Sequence, residues 1–275
     1  MLQNSCGTVG PEVWWYEIEI MANPYFSFKQ FTVWQEHAAM RVGTDGVLLG
    51  AWCDLSLDEA QLRAQEHEEI SRSGRVLDIG SGTGVIALMV AQRAPYMQID
   101  AIEPDPGSCE DALRNFAESP WSDRLQLFRM TLQEYVADQA GKVQYDCIVS
   151  NPPYFVDSLK APDPARNAVR HAVSLPFEEL LDGVRALLAE TGRFAVILPV
   201  AEGGLLERLA LVRGLHCVRK CLVQTKPDVP PKRIMMEFRR QWMPLQSDLL
   251  TMETDRQQEF TEAYRRLTGD FYLKF

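Results

Sequence analysis

Three short sequences in this chain carry residue types suited to binding and chemistry, and each follows an apolar run. The first is the glycine-rich stretch Asp-Ile-Gly-Ser-Gly-Thr-Gly at residues 78–84. Glycines at a turn from strand to helix let a ligand approach the backbone, and the N-terminus of the helix offers unpaired N–H groups. The residues expected to bind a cofactor here are Asp78, Gly80, Ser81 and Gly82.

The spacing of these glycines distinguishes between two cofactor classes. Dinucleotide-binding loops follow the pattern Gly-x-Gly-x-x-Gly, whereas the glycines here stand at positions 80, 82 and 84, with Asp78 two residues before the first. An acid beside the loop would repel a pyrophosphate, but it can accept hydrogen bonds from an amino group. The pattern therefore favours S-adenosylmethionine over NAD, and disfavours a nicotinamide oxidoreductase.

The second group is a single acid, Glu103, at the end of the next predicted strand. It follows the glycine loop by about 20 residues, the spacing at which an acid binds the ribose of a nucleotide cofactor. Each ribose hydroxyl can donate a hydrogen bond to an ionised carboxylate oxygen. A lone acid at a strand end is usually only solvated, but its position relative to the loop predicts cofactor binding.

The third group is Asn-Pro-Pro-Tyr at residues 151–154. The amide oxygen of Asn151 and the carbonyl of Pro152 are two acceptors that suit an –NH₂ group, and Tyr154 offers a flat ring. Stacking of a base on such a ring is worth about 1–3 kcal/mol. We predict Asn151, Pro152 and Tyr154 as catalytic residues that position and polarise an amine, with no dedicated base required.

The elements that must position these groups alternate between strand and helix. Such alternation predicts a doubly wound α/β fold with a mostly parallel, seven-stranded sheet. The final two predicted strands have only a proline-rich loop between them, so the last strand should be antiparallel. The predicted strands are residues 75–80, 98–103, 125–130, 145–150, 193–200, 217–224 and 233–239.

Composition narrows the class of protein further. The chain has 275 residues with 28 basic and 38 acidic side chains, a net charge of −10, which excludes a strongly basic nucleic-acid-binding surface over the whole protein. Most of the acidic excess lies at 54–69 and 248–262, both predicted to be exposed helix faces. No apolar run reaches the ~18 residues of a membrane span. The six scattered cysteines predict reduced thiols, no metal site and a cytoplasmic protein.

Taken in order, the three groups resemble a known class of enzyme. Asp-Ile-Gly-Ser-Gly-Thr-Gly, then Ile-Glu-Pro-Asp at 102–105, then Asn-Pro-Pro-Tyr is similar to class I S-adenosylmethionine-dependent methyltransferases that methylate amino groups. This resemblance implies a Rossmann-like fold and S-adenosylmethionine as the cofactor.

A narrower resemblance covers nearly everything from Asn23 to Phe275. Residues 28–31, 40–52 and 267–272 resemble the bacterial tRNA1(Val) (adenine-37 N6)-methyltransferase family. One departure is Arg41, where that family often has lysine, and the charge is kept. The resemblance implies methyl transfer to the N6 amine of adenine 37, next to the anticodon of a valine tRNA, by an enzyme expected to be a monomer.

The same resemblance implies roles for further residues. Thr44, with Asp45, matches a segment expected to close over the cofactor, and residues 151–154 match the clamp for the target base. Thr131 stands where many relatives place an acid for the adenine amine of the cofactor, so this contact should fall to backbone or a hydroxyl. A basic rim that could bind tRNA phosphates is expected from Lys160, Arg166, Arg170, His171, Lys226, Lys232, Arg233, Arg265, Arg266 and Lys274.

The expected organisation is an N-terminal extension at 1–22, with Met21 as a candidate natural start, a cofactor-closing segment and acidic linker at 23–70, and the methyltransferase domain at 71–275. Two other functions remain open. A protein-glutamine N5-methyltransferase could use residues 151–154 to hold a side-chain amide, although it usually has a larger N-terminal domain. A non-catalytic RNA-binding module would not need Glu103 together with the Asn-Pro-Pro-Tyr sequence.

Overall fold

The computed structural model describes residues 23–56, 74–153, 175–256 and 259–275. Within these ranges the chain forms a large eight-stranded sheet, with helices on both faces, and a small hairpin. The hairpin pairs β1 (Tyr25–Ser27) with β2 (Thr32–Trp34) in antiparallel fashion. The expected extension at 1–22 lies outside the described residues.

The large sheet has the order β10-β8-β9-β7-β6-β3-β4-β5. Among the described strands of this sheet, β9 runs antiparallel to both neighbours and the other pairs are parallel. The predicted fold class and the antiparallel hairpin of β8 with β9 are thus confirmed. The strands are β3 (Gly74–Ile79), β4 (Met97–Ile102), β5 (Leu125–Phe128), β6 (Tyr145–Ser150), β7 (Leu188–Pro199), β8 (His216–Gln224), β9 (Arg233–Arg239) and β10 (Gln246–Thr251).

Within the described ranges the sheet has eight strands, where seven were expected. The additional strand, β10, pairs with β8 at the edge, and only Leu250 in it is buried. An edge strand with one buried side chain lacks the apolar alternation that reveals a strand in sequence. The acidic stretch 248–262, expected to be a helix face, instead holds the last four residues of β10 and the first residue of the last helix. The other acidic stretch, 54–69, lies mostly outside the described residues.

Helices cover both faces of the sheet, as a doubly wound fold requires. Along β3, Val76 belongs to the apolar core on one face and Leu77 to the core on the other. No helix in the described ranges combines the length and the apolar character needed to cross a bilayer. The helices are α1 (Thr44–Trp52), α2 (Val85–Arg93), α3 (Pro106–Glu118), α4 (Leu132–Gln139), α5 (Phe177–Leu187), α6 (Val200–Leu211) and α7 (Glu262–Thr268).

The N-terminal hairpin packs against the last residues of the chain through aromatic rings. The ring of Phe28 stacks on Phe31 at 4.6 Å between centroids and on Tyr272 at 6.1 Å. The backbone N–H of Lys29 donates to the carbonyl of Phe271 at 2.8 Å. These aromatic residues belong to the same apolar core as α1 and α2. The segment that leads into α1 is therefore held by its own side chains and by the last residues of the chain.

Candidate active site

Four strands of the sheet end level with one another. The registers of β3 with β4 and β6, and of β4 with β5, align the last residues of these strands. Since neighbouring strands lie about 4.8 Å apart, the residues that follow form a row at what we call the carboxyl edge. In order across the sheet, this row contains Asn151, Gly80, Glu103 and Arg129. Ligands of open α/β sheets bind in the crevice at this edge.

The glycine loop after β3 needs its glycines for two different reasons. Gly80, Gly82 and Gly84 have φ values of 70°, 56° and 80°, in the left-handed region that favours glycine. A Cβ added at Gly80 or Gly82 would meet nothing within 4 Å, whereas one at Gly84 would lie 2.4 Å from a ring carbon of Phe116. Gly84 therefore allows α3 to pack under the loop, and the other two leave room for a ligand.

Asp78 is the clearest sign of a binding site beside this loop. Its side chain is fully buried, and Oδ2 accepts a hydrogen bond from the backbone N–H of Ala87 at 3.2 Å. Within the described residues, Oδ1 of Asp78 and the hydroxyl of Ser81 are buried without a hydrogen-bond partner. Burial, together with the nearby Glu103, raises the pKa of Asp78 to about 7.

An unpaired buried carboxylate oxygen is costly, because it has lost water and gained no partner. A ligand with a positively charged hydrogen-bond donor at this point would remove the cost, since its charge would also favour the ionised form of Asp78. The amino group of S-adenosylmethionine is such a donor, so the residues present fit this cofactor.

Glu103 joins the loop to the start of α3. It is 7% exposed, and its two carboxylate oxygens accept backbone hydrogen bonds from Gly82 at 2.8 Å and Asp105 at 2.9 Å. Burial raises the pKa of Glu103, while the two backbone hydrogen bonds oppose this. Each oxygen has a second lone pair, so the carboxylate is oriented by the backbone and can still accept from two ribose hydroxyls.

Thr44 begins α1, which packs beside α2. A Cβ added at Gly46 would lie 3.3 Å from a side-chain carbon of Val85, the first residue of α2. Because Val85 directly follows the glycine loop, the N-terminus of α1 lies on the loop side of the sheet. The neighbouring Asp45 accepts a hydrogen bond through Oδ2 from Nε of Arg233 at 2.8 Å.

Asn151 lies on the side of Gly80 opposite Glu103 in the row, and Pro152 follows it directly. Asn151 is partly buried and Pro152 is buried. The preceding residue, Ser150, donates from its hydroxyl to the carbonyl of Ile79 at 2.9 Å, which ties the end of β6 to the strand that leads into the glycine loop. The structure thus brings Asn151 next to the loop. Tyr154 lies outside the described residues.

Known proteins share sequence similarity with most of this chain. The sequence pattern of the family described as "Methyltransferase small domain" matches residues 48–196, which include the glycine loop, Glu103 and Asn151. A protein of Parabacteroides distasonis named tRNA1(Val) (adenine(37)-N6)-methyltransferase is 43% identical over 255 residues, 92% of this chain and 100% of the relative. A protein of Trichodesmium erythraeum with the same name is 42% identical over 257 residues, 93% of this chain and 100% of the relative.

This chain belongs to the tRNA1(Val) (adenine(37)-N6)-methyltransferase family. The narrower resemblance noted in the sequence is therefore confirmed, and the family uses S-adenosylmethionine as the methyl donor. Among solved structures, a predicted O-methyltransferase from Agrobacterium tumefaciens superimposes with a TM-score of 0.61 at 17% identity, covering 82% of this chain and 96% of that one. At that identity the match shows the class I methyltransferase fold alone.

In this member of the tRNA adenine-N6 methyltransferase family, Thr131 has a structural task. It is the N-cap of α4, and its hydroxyl donates to a carboxylate oxygen of Glu134 at 2.8 Å and accepts from the backbone N–H of Glu134 at 3.3 Å. The structure places Thr131 two residues beyond Arg129 of the row, with its hydroxyl engaged in this capping box. A cofactor contact from Thr131 stays a prediction.

Two residues that join the N-terminal segment to the site were missed in the sequence. The side chain of Asn115 accepts from the N–H of Trp34 at 2.7 Å and donates to the carbonyl of Thr83, in the glycine loop, at 2.9 Å. Asp111 accepts from the N–H groups of His37 and Ala38 at 2.9 and 2.8 Å. The signal was two polar residues four apart on α3, a spacing that places them on one helix face, and both are buried.

Proposed function

We propose that this protein transfers a methyl group from S-adenosylmethionine to the N6 amine of adenine 37, next to the anticodon of a valine tRNA. The observation that supports this most directly is the row at the carboxyl edge, where Asn151 lies beside Gly80 and Glu103 on its other side. The residues proposed to bind the cofactor and the two acceptors proposed for the amine are thereby adjacent. The adenine and the tRNA follow from the names of the relatives.

We propose that the cofactor is bound from both sides of the glycine loop. Asp78 takes its amino group, Glu103 takes its ribose hydroxyls, and the backbone at Gly80, Ser81 and Gly82 lies against it. When bound, S-adenosylmethionine supplies an electrophilic methyl group. Thr44, at the N-terminus of α1, closes the site from the N-terminal side, and Thr131 is proposed to border the adenine end.

The target amine is held by Asn151 and Pro152. The exocyclic nitrogen of adenine is a poor nucleophile because its lone pair is delocalised into the ring. Hydrogen bonds from its two N–H groups to the Asn151 side chain and the Pro152 carbonyl favour a more tetrahedral nitrogen and orient it for attack. Tyr154 is proposed to stack on the base once it has left its neighbours in the anticodon loop.

The tRNA is proposed to approach from the carboxyl edge. β8 is parallel to β7 and β6, so the β8–β9 loop (residues 225–232) lies at this edge. Lys232 in this loop is exposed, and Lys226 is partly exposed. Phosphate contacts of this kind position a nucleic acid without reading its sequence. The cations expected at 160–171 lie outside the described residues. Arg266 pairs with Glu262 at 2.7 Å, and RNA contacts by Arg265, Arg266 and Lys274 stay predictions.

We further propose the organisation expected from the sequence, with residues 23–70 as the segment that closes the cofactor site and 71–275 as the catalytic domain, in a monomer. Asp111 and Asn115 accept hydrogen bonds from backbone N–H groups of Trp34, His37 and Ala38. These contacts support the first part, since they attach this segment beside the glycine loop. A cytoplasmic location, where tRNA is modified, remains a prediction.

The direct test is methylation of a defined RNA. Purified protein is incubated with S-adenosylmethionine and a valine tRNA transcript, and the nucleosides are analysed by mass spectrometry. We expect N6-methyladenosine, located at position 37 by fragment mapping and absent from a transcript in which adenine 37 is replaced by guanine. The Asn151→Ala variant is the matched protein control.

The competing function, methylation of a protein glutamine, uses the same pair of acceptors and is separated by the same assay. A cell extract is incubated with methyl-labelled cofactor, and label is followed in protein and in RNA. Label on glutamine N5 with none in tRNA would contradict the proposal.

A further inference from the structure

Arg233 lies in a different environment from the one that its sequence context suggests. It follows the β8–β9 loop and was expected to contribute to a basic rim for RNA. In the structure, its Nε donates to Oδ2 of Asp45 at 2.8 Å, and the two side chains are 34% and 22% exposed. The two residues are 188 positions apart in the sequence, so this ion pair joins distant parts of the chain.

The pair connects two places at the carboxyl edge. On one side, Arg233 is the first residue of β9, directly after the β8–β9 loop. On the other, Asp45 lies in the first turn of α1, next to Gly46, which packs on Val85 immediately after the glycine loop. A displacement of Asp45 would therefore move the turn that carries Thr44 relative to the cofactor site.

The side chain of Asp45 is the charged group in this first turn, and no side chain caps the helix before it. The N-cap of α1 is Gly43, which has no side chain with which to accept a capping hydrogen bond. A negative charge in the first turn of a helix is favourable by itself, but this effect does not fix the position of the turn relative to the sheet. The ion pair with Arg233 does so, because it connects Asp45 to the start of β9.

We propose that Arg233 is a positioning residue for cofactor binding, acting through Asp45 to hold the start of α1 against the cofactor site. The inference rests on the proposed function for the identity of the cofactor, but cofactor binding can be tested without RNA. It also assigns the RNA contacts of this region to the neighbouring Lys232, which is exposed and makes no ion pair within the described residues.

The test separates cofactor binding from RNA binding. Binding of S-adenosylhomocysteine is measured by calorimetry, and KM for tRNA and kcat are measured at saturating cofactor. We expect Arg233→Gln to weaken S-adenosylhomocysteine binding about fivefold, the effect of a partly exposed ion pair, with KM for tRNA and kcat unchanged. Arg233→Lys should lie between wild type and Arg233→Gln, since it keeps the charge without the fixed geometry.

Two further variants show that the effect passes through the pair. Asp45→Asn should weaken S-adenosylhomocysteine binding, and the double variant Asp45→Asn with Arg233→Gln should bind no more weakly than the weaker single one, because the same interaction is removed in each. Lys232→Gln is the matched control, expected to raise KM for tRNA and leave S-adenosylhomocysteine binding unchanged.

Unchanged S-adenosylhomocysteine binding in Arg233→Gln, with a higher KM for tRNA, would overturn the inference and make Arg233 an RNA contact. Thermal melting without ligand shows whether each variant folds. If Arg233→Gln does not, the exchanged pair Asp45→Arg with Arg233→Asp replaces it, and failure of that pair to recover ligand binding would count against the inference. Normal S-adenosylhomocysteine binding by a wild type that methylates no tRNA would refute the proposed function instead.

Discussion

At the carboxyl edge, the side formed by β3 and β4 is closed and the side formed by β8 and β9 is open. Asp78 and Glu103 are 0% and 7% exposed, and their carboxylates accept hydrogen bonds from Ala87 and from Gly82 and Asp105. On the open side, the β8–β9 loop presents its residues to solvent, Lys232 among them. One sheet edge therefore combines buried acids with exposed bases.

The difference in burial between the two sides fits the ligand that each is proposed to bind. A small cationic cofactor can be enclosed, so buried carboxylates with raised pKa are tolerated because the ligand compensates their charge. An RNA is a large polyanion that must arrive and leave, and exposed lysines interact with it without first losing their hydration. Asn151 lies between the two sides and is proposed to contact only the reacting amine, so its loss should affect the reaction more than either binding step.

The largest effect is expected at this boundary. Asn151→Ala should reduce kcat by about 10²-fold or more, the loss typical of one preorganised hydrogen bond that strengthens in the transition state. Affinity for S-adenosylhomocysteine should be nearly unchanged, because Asn151 is proposed to contact the target amine and not the cofactor. Single-turnover methylation of valine tRNA, with calorimetry of the ligand, measures both quantities.

Tyr154→Phe is a useful comparison in the same assays, since it keeps the proposed stacking ring and should be mild, whereas Tyr154→Ala should weaken RNA binding. Full methyl transfer by Asn151→Ala would mean that the amine is positioned by other groups.

The next effect should appear on the closed side. Glu103→Gln removes the negative charge that the ribose hydroxyls are proposed to use, and hydrogen bonds to a charged group are worth about 1–2 kcal/mol more than neutral ones. We expect S-adenosylhomocysteine binding to weaken by about 30-fold, with kcat at saturating cofactor less affected.

Glu134→Gln is a matched control for this variant, because it makes the same change at the start of α4 and glutamine also forms a capping box. It should leave ligand binding unchanged. Equal losses in the two variants would show that the region of Thr131 contributes to the cofactor site as much as Glu103 does.

Most of the fold could be predicted because its central strands are buried on both faces. The strands β3, β4 and β6 read as short apolar runs, and the segments between them have helical spacing. The edge strand β10 could not be found in this way, since most of it is exposed and its pairing with β8 depends on tertiary packing. Sequence patterns detect burial more readily than backbone pairing.

The site divides in a similar manner. Residues proposed for the site at or just after the end of a strand, such as Asp78 and Asn151, carry local signals and were named from the sequence. Contacts between distant segments carry none: the hydrogen bonds of Asn115 to residues 34 and 83, and the ion pair of Arg233 with Asp45, appear only in three dimensions. Thr131 and Glu134 carry a local signal of another kind, the capping box of α4, while the cofactor contact of Thr131 stays a prediction.

A smaller effect should be visible as a pH dependence of the closed side. The pKa of Asp78 is raised to about 7 by burial, and a cationic ligand prefers its ionised form. Binding of S-adenosylhomocysteine should therefore tighten about tenfold between pH 6 and pH 8. In Asp78→Asn this dependence should disappear. Any pH dependence that comes from titration of the ligand itself would be the same in wild type and variant. A slope that persists in Asp78→Asn would assign it to another group.

The same pKa predicts the sign of a stability change without ligand. Between the unfolded value of 3.8 and about 7, folded protein retains a proton on Asp78 that the unfolded chain has released. The contribution of Asp78 to the free energy of unfolding therefore falls as pH rises through this window and is constant above it. Urea denaturation of wild type and Asp78→Asn at several pH values measures the difference between their free energies of unfolding. A difference that did not change with pH would show that Asp78 is ionised throughout.

The smallest effect is expected on the open side. The double variant Lys226→Gln with Lys232→Gln should weaken tRNA binding by only a few-fold at moderate salt, because each exposed lysine neutralises one phosphate among many. The slope of log K against log salt should fall by about 0.7–0.9 for each phosphate that is no longer neutralised, and S-adenosylhomocysteine binding should not change. Filter binding over a range of salt concentrations measures the slope. An unchanged slope would show that the β8–β9 loop does not contact RNA, and a loss of cofactor affinity would mean that the open and closed sides are not independent.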